Sequence, residues 1–167
     1  MSATFDWTDI LSAFLAAAAT GAFGIYDRRS ERKHRYQSTL LSIRAQASFL
    51  TSLIRSQEYH SDAREISERS KLPTWNGEIL QIDARHNYLD ILEDLRGSFG
   101  LLKASEIEPV IEFYNRAKIF TDSTKCDGPF LEEASLDERR SHAEQTHLNI
   151  ERLLVLGDQI SQFGVAK

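Results

Sequence analysis

From Tyr36 onward the apolar positions of this chain step by four and three. Tyr36, Leu40, Ile43, Ala47, Leu50 and Ile54 form one such series, with Leu41 and Leu53 beside it, and that spacing lays a stripe along one face of an α-helix. No Gly or Pro occurs between Ile25 and Leu72, so the stripe predicts a long amphipathic helix. Asp62 with Glu65 has the form of a capping box and predicts a short helix reaching about Ser70. The segment KLPTWNG, Lys71 to Gly77, ends it, because Pro73 cannot continue a helix and Asn76-Gly77 favours a turn. Trp75 within that segment is expected to plug the core at the helix junction.

Ile79, Ile82, His86, Leu89, Leu92 and Leu95 predict the next helix, weakened by Gly97 and Gly100. Ser105 with Glu108 marks another start, and Ile107, Val110, Ile111, Tyr114, Ala117 and Phe120 the face that follows, with Pro109 placed in the first turn. After the loop KCDGP (Lys125 to Pro129), Ser135 with Glu138 opens a last helix whose inward positions are Ala143, His147, Ile150, Leu154 and Ile160. Four or five helices with short connections and no β alternation predict an all-α antiparallel bundle. About 130 residues are enough for such a bundle to have its own core.

The N-terminal pattern is different in kind. In ILSAFLAAAATGAFGIYDRRSERKHR, Ile10 to Arg35, no charge appears before Asp27, and Arg28, Arg29, Arg32, Lys33 and Arg35 then follow against Asp27 and Glu31. The uncharged run over 10–26 is at the short end of what spans a bilayer. Trp7 and Tyr26 bracket it, about 28 Å apart on a helix, close to the ~30 Å hydrocarbon thickness, and such rings settle at headgroup level. Asp6 and Asp9 stand where a secretory signal would be positive, and the run has no polar face to suit an interfacial helix.

At 100° per residue, Ala13, Ala16, Ala17, Thr20, Gly21 and Gly24 fall on one side and Leu11, Phe14, Leu15 and Ile25 on the other. A slim face lets backbones approach closely in lipid, where dispersion contacts drive association, so a second copy or a partner membrane protein is expected against it. The positive-inside bias places the N-terminus outside. The expected organisation is a short extracytoplasmic N-terminus (1–9), a transmembrane helix (10–26), a basic juxtamembrane segment (27–35) and a cytoplasmic α-helical domain (36–167), in a bacterial inner membrane. Alanine-rich helices also occur inside soluble bundles, which leaves a buried first helix as the alternative.

Charge supports the membrane placement of the basic residues. The net charge of −5 hides an acidic body beyond Arg35, which disfavours binding to phosphate backbones, so no nucleic-acid partner is expected. The basic run is instead read as an anchor, together with Trp7 and Tyr26, that contacts anionic headgroups of the lipid bilayer. Cys126 is the only cysteine, so neither an intrachain disulfide nor a thiolate metal cage can form. Phosphate-binding glycine loops, the zinc-protease helix motif and nucleophile elbows are absent, and no cofactor is expected.

Two histidine patterns carry candidate chemistry. DARH (Asp83 to His86) and EQTH (Glu144 to His147) each set a carboxylate and an imidazole three apart, as di-metal carboxylate bundles do. Such sites also take an inward Glu from each of two other helices. Glu112 suits one, but the long helix has no acid between Glu31 and Glu58, so no metal site is expected and the histidines are read as half-buried residues hydrogen-bonded near the core.

RSQEYH (Arg55 to His60) and RSHAEQTH (Arg140 to His147) resemble the Arg-x4-6-His motif of HEPN-type ribonucleases. That resemblance covers only these few residues, and Ser56 and Ser141 follow the arginines where the family often has Asn, Asp or His. It implies an all-helical enzyme whose two sites meet by dimerisation, with Arg55, His60, Arg140 and His147 polarising an RNA 2′-hydroxyl and the scissile phosphate. The architecture itself favours a non-enzymatic membrane protein whose helical domain self-associates or docks a partner, as an effector or regulator in a bacterial toxin or phage-defence setting. A passive membrane tether for a soluble partner is the third reading.

Overall fold

The computed structural model describes residues 7–82, 89–124 and 134–164, with side chains described from Arg28 onward apart from Asp90 and Ile91. In chain order the elements are α1 (Trp7–Ser56), α2 (Tyr59–Ser70), α3 (Asp90–Leu95), a 3-10 turn (Arg96–Leu101), α4 (Ala104–Ser123) and α5 (Leu136–Ser161). The all-α expectation holds, with no β-strand among the described residues. The chain divides into two units, residues 1–38 and 39–167.

In the first unit the backbone of α1 is helical from Trp7. Among the described residues no helix is long and apolar enough to cross a membrane. The side chains on which the expected span rests, Ala13, Ala16, Ala17, Thr20, Gly21 and Gly24 with Trp7 and Tyr26, lie outside the described residues. Arg28, Arg29, Arg32, Lys33 and Arg35 are all exposed along α1, and Arg35 donates to the Glu31 carboxylate one turn back.

The core belongs to the second unit. On α1, Ile43, Ala47, Leu50 and Ile54 are wholly buried, each large apolar side chain contributing about 1.5–3 kcal/mol of transfer free energy. Leu40 joins that stripe, whereas its neighbour Leu41 is 66% exposed. Helix α5 supplies Ile150, Leu153, Leu156 and Ile160, and α4 supplies Val110, Phe113, Ala117 and Phe120. Phe113 is a core residue that the four-and-three count on α4 passes over, while Ile111, counted inward, is 43% exposed.

Gly157 is where these helices come closest. A Cβ there would collide with Thr51 Cγ2 on α1, lie 3.3 Å from Phe113 Cε2 on α4, and lie 3.6 Å from the Ala47 carbonyl oxygen. Thr51 has nowhere to retreat, since it is itself buried and its hydroxyl donates to the Ala47 carbonyl at 3.0 Å.

Three local expectations are corrected. The stripe beginning at Ile79 does not start a helix there. Residues 75–81 are non-helical, Leu80 and Ile82 point inward on either side of exposed Gln81, and the Ile82 N–H donates to the Thr124 carbonyl at 2.8 Å. The run from Ile79 to Ile82 carries both periods, Ile79 and Ile82 three apart as on a helix face and Leu80 and Ile82 two apart as on one face of an extended segment, and just before it Gly77 takes φ +86°, an angle that glycine adopts without strain. Helix α2 starts at Tyr59, so Asp62 sits in its first turn and caps nothing. Helix α4 starts at Ala104, where Glu106 rather than Glu108 reaches back to accept from the Lys103 N–H at 2.9 Å. Pro109 therefore stands in the second turn of α4, where it has no N–H to offer the Ser105 carbonyl four residues before it. By contrast the Ser135–Glu138 capping box forms as expected, with the Ser135 N–H donating to Glu138 at 2.8 Å and the Glu138 N–H to Ser135 Oγ at 3.3 Å. Trp75 is buried at the α2 exit, as its junction position implied.

Gly157→Ala is expected to destabilise the folded protein. The collision with buried Thr51 puts the overpacking cost toward the upper end of about 1–3 kcal/mol, and the better helix propensity of Ala returns about 1 kcal/mol, so a net loss of about 2 kcal/mol is expected in urea denaturation. Unchanged or increased stability would show that α1 and α5 do not meet as described.

Candidate functional site

Where α1 ends, the Gln57 N–H bonds the Leu53 carbonyl and the Glu58 N–H the Arg55 carbonyl. Glu58 then adopts left-handed backbone angles, φ 57° and ψ 15°, which cost a non-glycine residue about 1–2 kcal/mol. This turn starts α2 two residues before His60, and α2 packs against α5. On α5, His147 and Glu151 are four apart and share one face.

The result is a cluster that the sequence spacing alone does not show. The His60 and His147 rings have centroids 5.7 Å apart. Glu151 Oε1 lies 3.9 Å from His60 Nε2 and 3.6 Å from His147 Nε2. All three residues present a donor atom within 4.8 Å of the others. The His147 side chain is 16% exposed, against 37% for His60 and 51% for Glu151. His147 Nδ1 is buried with no hydrogen-bond partner among the described residues. A groove of about 540 Å³ opens beside the cluster, lined by His60, Leu148, Glu151, Arg152, Leu154 and Val155.

The two Arg-x4-6-His matches are thus only half assembled within one chain. Their histidines meet. Arg55 instead donates to Asp158 Oδ2 at 2.7 Å, tying the end of α1 to α5, and Arg140 donates to the carbonyl of Ser70, the last residue of α2, at 2.6 Å. A guanidinium on a C-terminal carbonyl satisfies an acceptor that the helix leaves open and complements its dipole. Arg140 and His147 are seven residues, about 10 Å, apart along α5.

The acids face partners other than those the spacing suggests. His147 faces Glu151, one turn after it, rather than exposed Glu144 three before it. The His-x3-Glu step at 147–151 is the sequence signal of this contact. Asp83 and His86 lie outside the described residues. Glu112 is committed elsewhere, accepting two bonds from Arg152 at 2.9 and 2.7 Å and one from Arg116 at 2.9 Å. Those bonds, Arg152 first, lower the Glu112 carboxyl from 4.5 to about 2, and the same pairing raises the Arg152 guanidinium above its usual value. Asn149 adds a second α4–α5 tie, its Nδ2 donating to the Arg116 carbonyl at 3.0 Å. His142 is pushed below the ordinary histidine value by burial, opposed in part by a backbone bond at Ser123.

No protein-family model, no curated protein and no solved structure matches this chain.

The Glu112 pairing implies a pH dependence with a definite sign. A carboxyl whose folded value lies below its unfolded value contributes stability that is complete above about pH 4.5 and is lost as pH falls toward about 2. Glu112→Gln is therefore expected to flatten the fall in stability between those limits, measured as the urea midpoint against pH. An acid limb identical to that of the parent would remove the stabilising role of this pairing.

Proposed function

We propose that the chain is a single-pass membrane protein of the bacterial inner membrane, with residues 10–26 as the span, the N-terminus outside and the helical unit in the cytoplasm. It acts by association of its helices, as an effector or regulator in a toxin or phage-defence setting, and not by turnover of a substrate. The observation that carries the reading is the layout of α1. One unbroken helix from Trp7 to Ser56 contains the uncharged run, the exposed cations Arg28, Arg29, Arg32, Lys33 and Arg35, and the first apolar stripe of the core. A collar of cations immediately inside an uncharged run is what headgroup contact and topology call for.

The small-residue side of the run gives the mode of action. Ala13, Ala17 and Gly21 repeat every four residues, with Ala16, Thr20 and Gly24 beside them, and such a ladder brings a second span, of another copy or of a partner membrane protein, close enough for backbone contact. The ribonuclease reading stands second, because it needs an arginine beside each histidine and both arginines are bonded elsewhere in the chain.

The full chain expressed in bacterial cells is expected to stay with the membrane through alkaline carbonate extraction. The paired substitutions Gly21→Leu and Gly24→Leu are expected to keep it there while weakening crosslinked self-association at least ~10-fold, the effect of about 1.4 kcal/mol. Release of the parent chain into the carbonate supernatant would overturn the span. Full crosslinking of the double variant would overturn the small-face association.

A further inference from the structure

We propose that His60, His147 and Glu151 form a binding site for a first-row divalent transition ion, zinc foremost. Two imidazole nitrogens converge on one carboxylate oxygen at 3.9 and 3.6 Å, too far for a hydrogen bond and close enough to share a small cation. Zinc bonds of about 2.0–2.1 Å in a tetrahedron hold their donors about 3.4 Å apart. The two nitrogen–oxygen spacings close to that value by a few tenths of an ångström, and the imidazole nitrogens, which like all three donors lie within 4.8 Å of one another, are brought to it by rotation of the half-exposed His60 side chain.

The chemistry of the donors narrows the ion. Imidazole suits zinc, copper, iron and nickel, whereas calcium and magnesium take oxygen ligands. Burial of His147 Nδ1 leaves Nε2 as the outward nitrogen of that ring, and Nε2 is the atom turned to Glu151. His147 is held by helix α5 and His60 by the first turn of α2, so the two rings are brought together by packing rather than by an ion. Glu151 is half exposed, which gives an ion a path from solvent. Three protein donors leave the fourth position of a tetrahedron open, and the neighbouring groove admits a water or a donor from a bound molecule there. This site lies wholly within residues 39–167 and is independent of the membrane reading.

The test is titration of the full chain, in detergent micelles, with cobalt(II) and then zinc. Cobalt is expected to develop the intense visible absorption of a four-coordinate site at one ion per chain, and zinc to bleach it. Loss of one of three ligands should cost more than the ~10–100-fold that loss of an outer-shell partner costs, so Glu151→Gln and His147→Ala are expected to weaken cobalt binding by at least ~100-fold. Glu151→Gln keeps the shape of a half-exposed side chain, so its loss of binding at unchanged circular dichroism separates ligation from unfolding. His34→Ala and Cys126→Ser are expected to bind as the parent does. Absence of stoichiometric binding by the folded parent, or binding that survives Glu151→Gln and His147→Ala, would overturn the site.

Discussion

The structure depends on the closeness with which α5 approaches α1 and α4 at Gly157. A hydrogen in place of a side chain lets Thr51 and Phe113 occupy the space over that residue, so apolar stripes from three helices interlock in one layer. Around that contact α5 is tied to each neighbour by its own polar bond. Asp158 takes Arg55 from α1, Arg152 and Asn149 hold Glu112 and the Arg116 carbonyl of α4, and Arg140 closes the end of α2. The exposed Arg55–Asp158 pair adds little by itself, and its value, like that of the other ties, lies in fixing which turn of α5 faces which helix.

That register decides what the site is. With α5 fixed against α2, His147 and Glu151 face His60, while Arg55 and Arg140, each part of a spacing match to a ribonuclease motif, are spent on bonds seven residues away from the histidine–glutamate cluster along α5. The same arginines explain why these matches look like catalytic pairs in one dimension and behave as structural ties in three. What remains at the α2–α5 seam is a set of two imidazoles and a carboxylate, whose natural ligand is a cation and whose carboxylate disfavours a phosphate.

Much of the fold is legible in the pattern of apolar residues, and the places where it is not have physical causes. The α1 stripe from Leu40 to Ile54 and the Ser135–Glu138 cap are local properties, decided by spacing and by one reciprocal hydrogen bond. The segment from Ile79 to Ile82 misleads because Ile79 and Ile82 have the spacing of a helix face while Leu80 and Ile82 have that of an extended chain, and a bond from Ile82 to Thr124, 42 residues away, goes with the second. The starts of α2 and α4 differ from the expected ones because Glu58 and Glu106, neither of them an expected cap, stand at those turns. At the site, both histidines stood out in the sequence, but their meeting depends on the turn at Glu58, a left-handed residue that nothing in its type announces. Glu151 is less conspicuous because the Glu-x-x-His spacing draws His147 to Glu144, three before it, whereas the fold turns it to the acid four after.

Helix α5 is the common wall of the second unit, and native-state hydrogen exchange of the full chain probes that role. The amides of α5 from Asn149 to Ile160, of α1 from Ile43 to Ile54, and of α4 from Val110 to Phe120 should exchange through one shared, slowest opening, because each segment's burial depends on the other two. Exchange of the α1 or α4 segment through its own lower-energy opening, with α5 still protected, would contradict it.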